Sequence, residues 1–298
     1  MLKRLISLAL FSLLLITAAG CANTPLPGGA SDKLSVVASF YTMYDFAGKI
    51  GGDKAEVSIL VPAGAEPHDW EPSTSDIVSL EQADVFIYNG AGMEGWVEDI
   101  LSSLSNKSLT VVEATKGVPL IYKDSTPDPH VWLDPKLAKL ELANIKDALA
   151  AADPDNASYY QENYDKYASE FDALDSELRE GLSACPKKDI VVAHEAYGYL
   201  CEAYGLNQIA IEGVLAESEP DPARMANIVN LVRDKGISVI FFEELIGPKV
   251  AQSIADETGA SVSVLNPLDG LSDEQRAAGD DYISVMRKNL DELKKALK

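Results

Sequence analysis

Residues 34–61 read LSVVASFYTMYDFAGKIGGDKAEVSILV. Leu34 to Ser39 and Glu56 to Val61 are short β-branched runs, and between them Tyr44 to Ile50 places its apolar residues at helical spacing. The pattern continues, with Asp84 to Tyr88 and Leu109 to Val112 as further strands, and Ser75 to Ala83 and Glu94 to Leu104 as further helices. Strands alternating with helices argue for a parallel sheet in an α/β domain.

From Pro135 to about Leu182 no strand candidate occurs, and Asp153-Pro154 marks a break followed by a fresh helical start. Tyr160, Tyr164, Tyr167, Phe171 and Leu174 then recur three and four positions apart, which is one apolar face of a long helix. Beyond it the first pattern returns, with Asp189 to Ala193, Gln208 to Glu212, Val239 to Phe242 and Ser261 to Leu265 as strands and Gly279 to Leu297 as a closing helix. The expected fold class is therefore α/β, two lobes each with a parallel sheet flanked by helices, joined by one long rigid helix. The lobes are assigned to residues 34–152 and 185–298, and the connector to 153–184. A single helix is stiffer than several crossing strands, so large domain closure is not expected.

The chain begins with the layout of an export signal over residues 1–20: Lys3 and Arg4, then an uncharged apolar run from Leu5 to Ala18. That run is short for a membrane span. It ends in Ala18-Ala19-Gly20-Cys21, which resembles the site where lipoprotein signals are cut and the new terminal cysteine is acylated. Residues 21–33, rich in Pro, Gly, Ser and Asn, suit a flexible tether from a lipid-bearing Cys21. In that extracytoplasmic setting Cys185 and Cys201 remain as a pair, either a disulfide or two buried thiols. A bridge of that loop size adds roughly 3 kcal/mol in the chain-entropy model.

Against 25 basic residues stand 47 acidic ones, a formal charge of −22 that repels nucleic acid phosphates and anionic lipid headgroups. Nucleic acid is excluded as a partner, and contact with the membrane is expected only through the lipid anchor.

The chain has three histidines, and each falls on a loop after a strand: His68 after Val57 to Val61, His130 after Leu120 to Tyr122, and His194 directly after Val191 to Ala193. Open parallel sheets bind ligands in the crevice beyond the carboxyl ends of their strands. Asp269 has the same placement after Ser261 to Leu265. Two lobes facing one another across that crevice would bring three imidazoles and one carboxylate together. Such an N3O set suits tetrahedral zinc, with bonds of about 2.0–2.2 Å, whereas manganese calls for more oxygen. His194-Glu195 also starts like a zinc hydrolase helix, but that motif needs a second His where this chain has Gly198. Four protein ligands would besides close the open position that a catalytic zinc keeps for water. An enzyme is not expected.

The motifs that carry these residues resemble a known family, the metal-specific solute-binding lipoproteins of ABC importers. The resemblance rests on Gly64-Ala65-Glu66-Pro67-His68-Asp69-Trp70-Glu71-Pro72-Ser73 and Asp128-Pro129-His130-Val131-Trp132-Leu133-Asp134-Pro135 in the first half. In the second half it rests on Ala193-His194-Glu195-Ala196-Tyr197-Gly198-Tyr199-Leu200, Ile240-Phe241-Phe242-Glu243-Glu244 and Leu265-Asn266-Pro267-Leu268-Asp269-Gly270-Leu271. It implies that His68, His130, His194 and Asp269 bind the transported metal. Histidine at 194, where manganese-binding members usually carry glutamate, implies the zinc branch; Mn2+ or Fe2+ transport, or a surface adhesin on the same scaffold, is the alternative. Asp269 stands where some zinc members carry a longer Glu, so the fourth position is left to Asp269, to water or, more weakly, to Glu66. The long His- and acid-rich loop of many zinc members is missing, and only Lys123 to Pro127 stands there. The implied partners are the importer's permease with its cytoplasmic ATPase, and the protein itself is expected to be monomeric. Capture needs neutral imidazoles, so affinity is expected to fall as the pH drops below about 6.5. Release is expected to move the loops bearing His68, His130 and Asp269, with only a slight tilt of the second lobe.

Overall fold

Strand β1 (Leu34–Ala38) leads through helix α1 (Tyr41–Gly51) into strand β2 (Ala55–Ile59). This is a computed structural model that describes residues 33–214, 221–245 and 247–298. The export segment, Cys21 and nearly all of the tether lie outside those residues. Val36, Val37 and Ala38 of β1 are all buried, the mark of a strand covered on both faces, which explains a continuous apolar run where one wet face would have given alternation. Helix α1 starts earlier than its apolar spacing suggests, because Tyr41, Thr42 and Met43 also turn inward beside Phe46, Ala47 and Ile50.

With β3 (Val85–Tyr88) and β4 (Thr110–Glu113) the first sheet is parallel throughout, in the order β2-β1-β3-β4. Helices α2 (Thr74–Gln82) and α3 (Val97–Ser103) connect its strands, α2 opening on a capping box between Ser73 and Asp76. One expected strand is absent from this sheet. Leu120 to Tyr122 contributes only to a two-residue hairpin, β5 (Tyr122–Lys123) against β6 (Thr126–Pro127), turned by Asp124 and Ser125 at φ 46° and 74°. Tyr122 is 62% exposed there, so no neighbouring element rewards a longer strand.

The second sheet consists of β7 (Asp189–Val192), β8 (Asn207–Ala210), β9 (Val239–Phe242) and β10 (Ser261–Val264), again all parallel, in the order β10-β9-β7-β8. Counted from its own first strand this is the arrangement of the first sheet, so the repeated grammar of the sequence is a repeated topology. Helices α6 (Gly198–Tyr204), α7 (Pro222–Lys235) and α8 (Lys249–Thr258) link its strands. After the short α9 (Asp273–Ala277), the last helix α10 (Tyr282–Ala296) is capped by Asp281, whose carboxylate accepts from the Ser284 amide.

Between the sheets run α4 (Pro135–Ala152) and α5 (Ala157–Ser183), the latter a single helix of 27 residues. The break between them is held by Asp153, whose carboxylate accepts from Tyr160 Oη at 2.7 Å and Asn156 Nδ2 at 2.8 Å. On α5 the residues Tyr160, Phe171, Leu174, Leu178 and Leu182 join a core that is continuous from Val36 to Leu297. Phe171 sits at its centre, 5.5 Å from the Phe46 ring of α1 and 4.8 Å from the Tyr282 ring of α10. Polar contacts reinforce the join: Lys49 pairs with Asp281 at 2.8 Å, and Tyr282 Oη donates to the Trp132 carbonyl at 2.6 Å. A shared core of this kind must be torn for the sheets to swing apart, which is the physical basis for expecting small movements.

Cys185 and Cys201 are both free thiols, Cys201 buried and Cys185 half-buried. Cys185 Sγ turns to the Gly181 carbonyl at 3.4 Å, while burial pushes the Cys201 thiol up to about 12.

Glu141 of α4 is fully buried, and neither of its oxygens has a hydrogen-bond partner among the described residues. Burial first, and then the nearby Glu94 carboxylate, hold it well above the usual carboxylate range. An acid whose folded pKa is raised keeps its proton when the unfolded chain has lost it, so stability falls as the pH climbs above the ordinary value of 4.5. Glu141→Leu is expected to raise stability by about 1–3 kcal/mol near pH 7, the usual cost of an unsatisfied buried polar group. The gain should shrink towards pH 4.5, as urea unfolding at the two pH values would reveal.

Candidate metal centre

His194 stands two residues past the end of β7, at the point where the strand order of the second sheet reverses. Glu243 follows β9, the neighbouring strand, and its Oε1 meets His194 Nδ1. Asp269 is reached from β10 through a four-residue loop. From the first lobe, His68 lies on the loop between β2 and α2, stiffened by Pro67 and Pro72, and its backbone amide donates to Glu66 Oε1 at 3.2 Å. His130 stands after the β5–β6 hairpin, just before a single 3-10 turn at Val131–Leu133. It therefore arrives by a route other than the sheet strand expected at Leu120 to Tyr122.

These loops converge. One donor atom from each of His68, His130, His194 and Asp269 lies within 4.8 Å of all the others. His130 is central, with Nε2 at 3.2 Å from both His68 Nε2 and His194 Nε2. Tetrahedral zinc–nitrogen bonds of about 2.0–2.1 Å require nitrogen pairs about 3.3–3.4 Å apart, so both edges already have nearly the dimension a metal needs. Asp269 is 1% exposed, and neither carboxylate oxygen has a partner among the described residues. A buried carboxylate without a donor is costly; a cation at the centre of the three rings would remove the cost.

The protonation of the group fits the same task. His68 is pushed down to about 2, by burial first and then by its two histidine neighbours. His130 is held well below the ordinary value by burial and by His194, with Glu243 opposing. His194 goes the other way: burial alone would lower it, but Glu243, then Asp269 and Glu66, raise it to about 9. Burial and the facing Glu66 hold Asp269 well above the carboxylate range. The shifts favour neutral His68 and His130, and a cation entering the site would displace protons from His194 and Asp269.

Two residues that complete this arrangement, Asp128 and Glu243, lie within the quoted motifs but received no role from the sequence. Asp128 Oδ1 accepts from the His130 amide at 3.0 Å and meets His130 Nδ1 at 2.8 Å. Glu243 does the same for His194 Nδ1. With each Nδ1 engaged by a carboxylate, each ring is held in orientation and its Nε2 is the atom left to face a metal. Glu243 could have been found by the rule that found the histidines, since it too stands at the carboxyl end of a sheet strand. Asp128 carried only the weaker signal of an acid two residues before a candidate ligand. Its carboxylate also explains Gly198: a Cβ there would lie 2.6 Å from Asp128 Oδ2, so a side chain at the position where a hydrolase motif would need histidine would have to displace the carboxylate that holds His130.

Residues 36–296 match the family model described as Zinc-uptake complex component A periplasmic, ZnuA, over nearly the whole described chain. The chain belongs to the ZnuA family. It is a family of zinc-binding transport components and not of enzymes. Among its curated relatives, the high-affinity zinc uptake system protein ZnuA of Bacillus subtilis is 38% identical, the match covering 100% of this chain and 99% of that protein. The zinc-binding protein AdcA of Streptococcus pyogenes is 39% identical over 89% of this chain, which spans 56% of that longer protein. Among solved structures, the Zn(II)-bound ZnuA-like domain of Streptococcus pneumoniae AdcA superposes with a TM-score of 0.80 at 38% identity, covering 89% of this chain and 99% of that domain. The two-sheet α/β architecture is that of ZnuA-like structures.

For a ZnuA-family centre built this way, the carboxylate behind His194 has a measurable effect. Glu243→Gln is expected to weaken zinc binding about tenfold, the low end of the usual effect of such partners, because the amide oxygen can still accept from Nδ1. Competition with a chelator at constant pH would read the change. Unaltered affinity would mean that the His194 ring is held by something other than Glu243.

Proposed function

We propose that this chain captures one zinc ion outside the cytoplasm and delivers it to the permease of an ABC importer, which a cytoplasmic ATPase drives. The ion is cargo, bound by Nε2 of His68, His130 and His194 and by the Asp269 carboxylate. On this reading the lobes at 34–152 and 185–298 supply two ligands each, and the helix within 153–184 keeps them in register. The acylated Cys21 and the tether to residue 33 hold the protein to the outer face of the cell membrane.

The observation that supports this best is the central ring of His130, equidistant at 3.2 Å from its two histidine neighbours and backed by Asp128. Three nitrogen donors and one oxygen donor favour zinc over manganese, which takes more oxygen. Glu243 and Glu66 stand around the site and face His194, but three of the four ligating positions remain nitrogen.

Calorimetric titration of the metal-free protein tests the capture step, with one tight zinc equivalent as the expected result. Because zinc outcompetes manganese at almost any such site, affinity alone does not identify the cargo. A deletion strain starved of zinc should lose growth and cellular zinc, and one starved of manganese should not. A defect confined to manganese starvation would overturn the assignment of zinc.

A further inference from the structure

Among the described residues nothing hydrogen-bonds the Asp269 carboxylate, so its position is inherited from the loop that precedes it. Four consecutive carbonyls of that loop are each taken by a side-chain donor from a different part of the fold. Tyr197 Oη donates to Leu265 O at 2.6 Å, and Asn289 Nδ2 of α10 to Asn266 O at 2.7 Å. Trp132 Nε1 donates to Pro267 O at 2.7 Å, and Thr42 Oγ1 of α1 to Leu268 O at 2.7 Å. Asn289 also accepts from the Asn266 amide at 3.0 Å, so it binds that residue on both sides, and Asn266 Oδ1 in turn accepts from the Leu268 amide at 2.7 Å. Leu268 itself sits at φ 67°, a left-handed conformation that strains a leucine and persists only where its surroundings impose it.

We propose that Asn289 and Thr42 are positioning residues for the metal: by holding Asn266 and Leu268 they keep Leu268 left-handed and the Asp269 carboxylate opposite the three imidazoles before the ion arrives. The proposal rests on the reading of Asp269 as a ligand. Both side chains are buried, and Thr42 reaches from the first lobe to a loop of the second. With either bond removed, Leu268 can relax to negative φ, which redirects the next residue and withdraws the carboxylate. Fixing a ligand in its bound place lowers the ordering cost of binding, so the clamp should act on affinity and on the donor set of the bound ion.

The test uses zinc affinity by chelator competition and the visible spectrum of bound Co(II), whose bands report the number and type of donors. Asn289→Leu and Thr42→Val preserve side-chain shape and remove the polar atoms. Each is expected to lower zinc affinity by about 10–100-fold and to move the cobalt spectrum towards that of Asp269→Ala. In the Asn289→Leu/Asp269→Ala double variant the loss should be no greater than in Asp269→Ala alone, because the clamp acts only through Asp269. If Asp269→Ala binds zinc like the parent, with the same cobalt spectrum, the ligand reading fails and the proposal with it. If Asp269→Ala is weakened but Asn289→Leu and Thr42→Val are not, the positioning proposal alone falls. Additive losses in the double variant would likewise overturn it, and should Asn289→Leu not fold, Thr42→Val decides.

Discussion

Zinc titrated into His130→Ala is expected to bind about two to three orders of magnitude more weakly than to the parent chain. A four-ligand zinc site is worth about 10–16 kcal/mol, so one ligand in four accounts for about 2.5–4 kcal/mol, or about a hundredfold to a thousandfold in affinity. His130 should cost the upper part of that range because it is the ring both others meet; without it, His68 and His194 are left with ring centres 5.8 Å apart. The loss also deprives Asp128 of its imidazole partner. Zinc at about a thousand times its dissociation constant stabilises a folded protein by about 4 kcal/mol, so the variant should lose most of the zinc-dependent rise in melting temperature seen in the parent. Titration calorimetry and melting with and without zinc give two independent readings. Parent-like affinity in a folded His130→Ala protein would remove His130 from the site.

Phe171→Ala is expected to destabilise the metal-free protein by about 3–5 kcal/mol, the usual cost of deleting a fully buried aromatic ring. At about 2–4 °C per kcal/mol for a chain of this size class, the melting temperature should fall by about 6–20 °C. The reason lies in what the ring joins. Phe46 comes from α1, Phe171 from the long helix α5 and Tyr282 from α10, and their rings lie 4.8–5.5 Å apart. A cavity at that point loosens the helices of both lobes against the connector at once. It also frees Tyr282, whose hydroxyl holds the Trp132 carbonyl two residues beyond His130. A loss below about 1 kcal/mol would show that the junction collapses around the gap, a variation well documented for cores.

The candidate ligands were legible because each announces itself locally. A histidine placed just past a β-branched run needs only the strand and its direction to be recognised, and three of three in that position is more than a chance pattern. The strand expected before His130 does not join the sheet; the flanking Pro129 and Trp132, and the resemblance of that stretch to a family motif, were the other signals that marked it. The element boundaries shifted by a few residues where tertiary burial overrode periodicity, as at Tyr41 to Met43 of α1. The state of the two cysteines was not legible, since a pair of thiols becomes a bridge or stays free according to how the helices that bear them are oriented.

Residue pattern by itself determined that strands and helices alternate twice around one long helix and that His68, His194 and Asp269 stand on loops beyond sheet strands; that His130 follows a two-residue hairpin came from the tertiary structure. Apolar periodicity and turn chemistry act over a few residues, and a linear reading captures such short-range effects. Only the tertiary structure decided that Glu243 stands behind His194 across 49 positions, that Thr42 reaches Leu268 across 226, and that one core cluster takes residues from both sheets. Hydrogen bonds between distant segments leave no local signature, because each partner alone is an ordinary acid, hydroxyl or amide until packing brings the other to it.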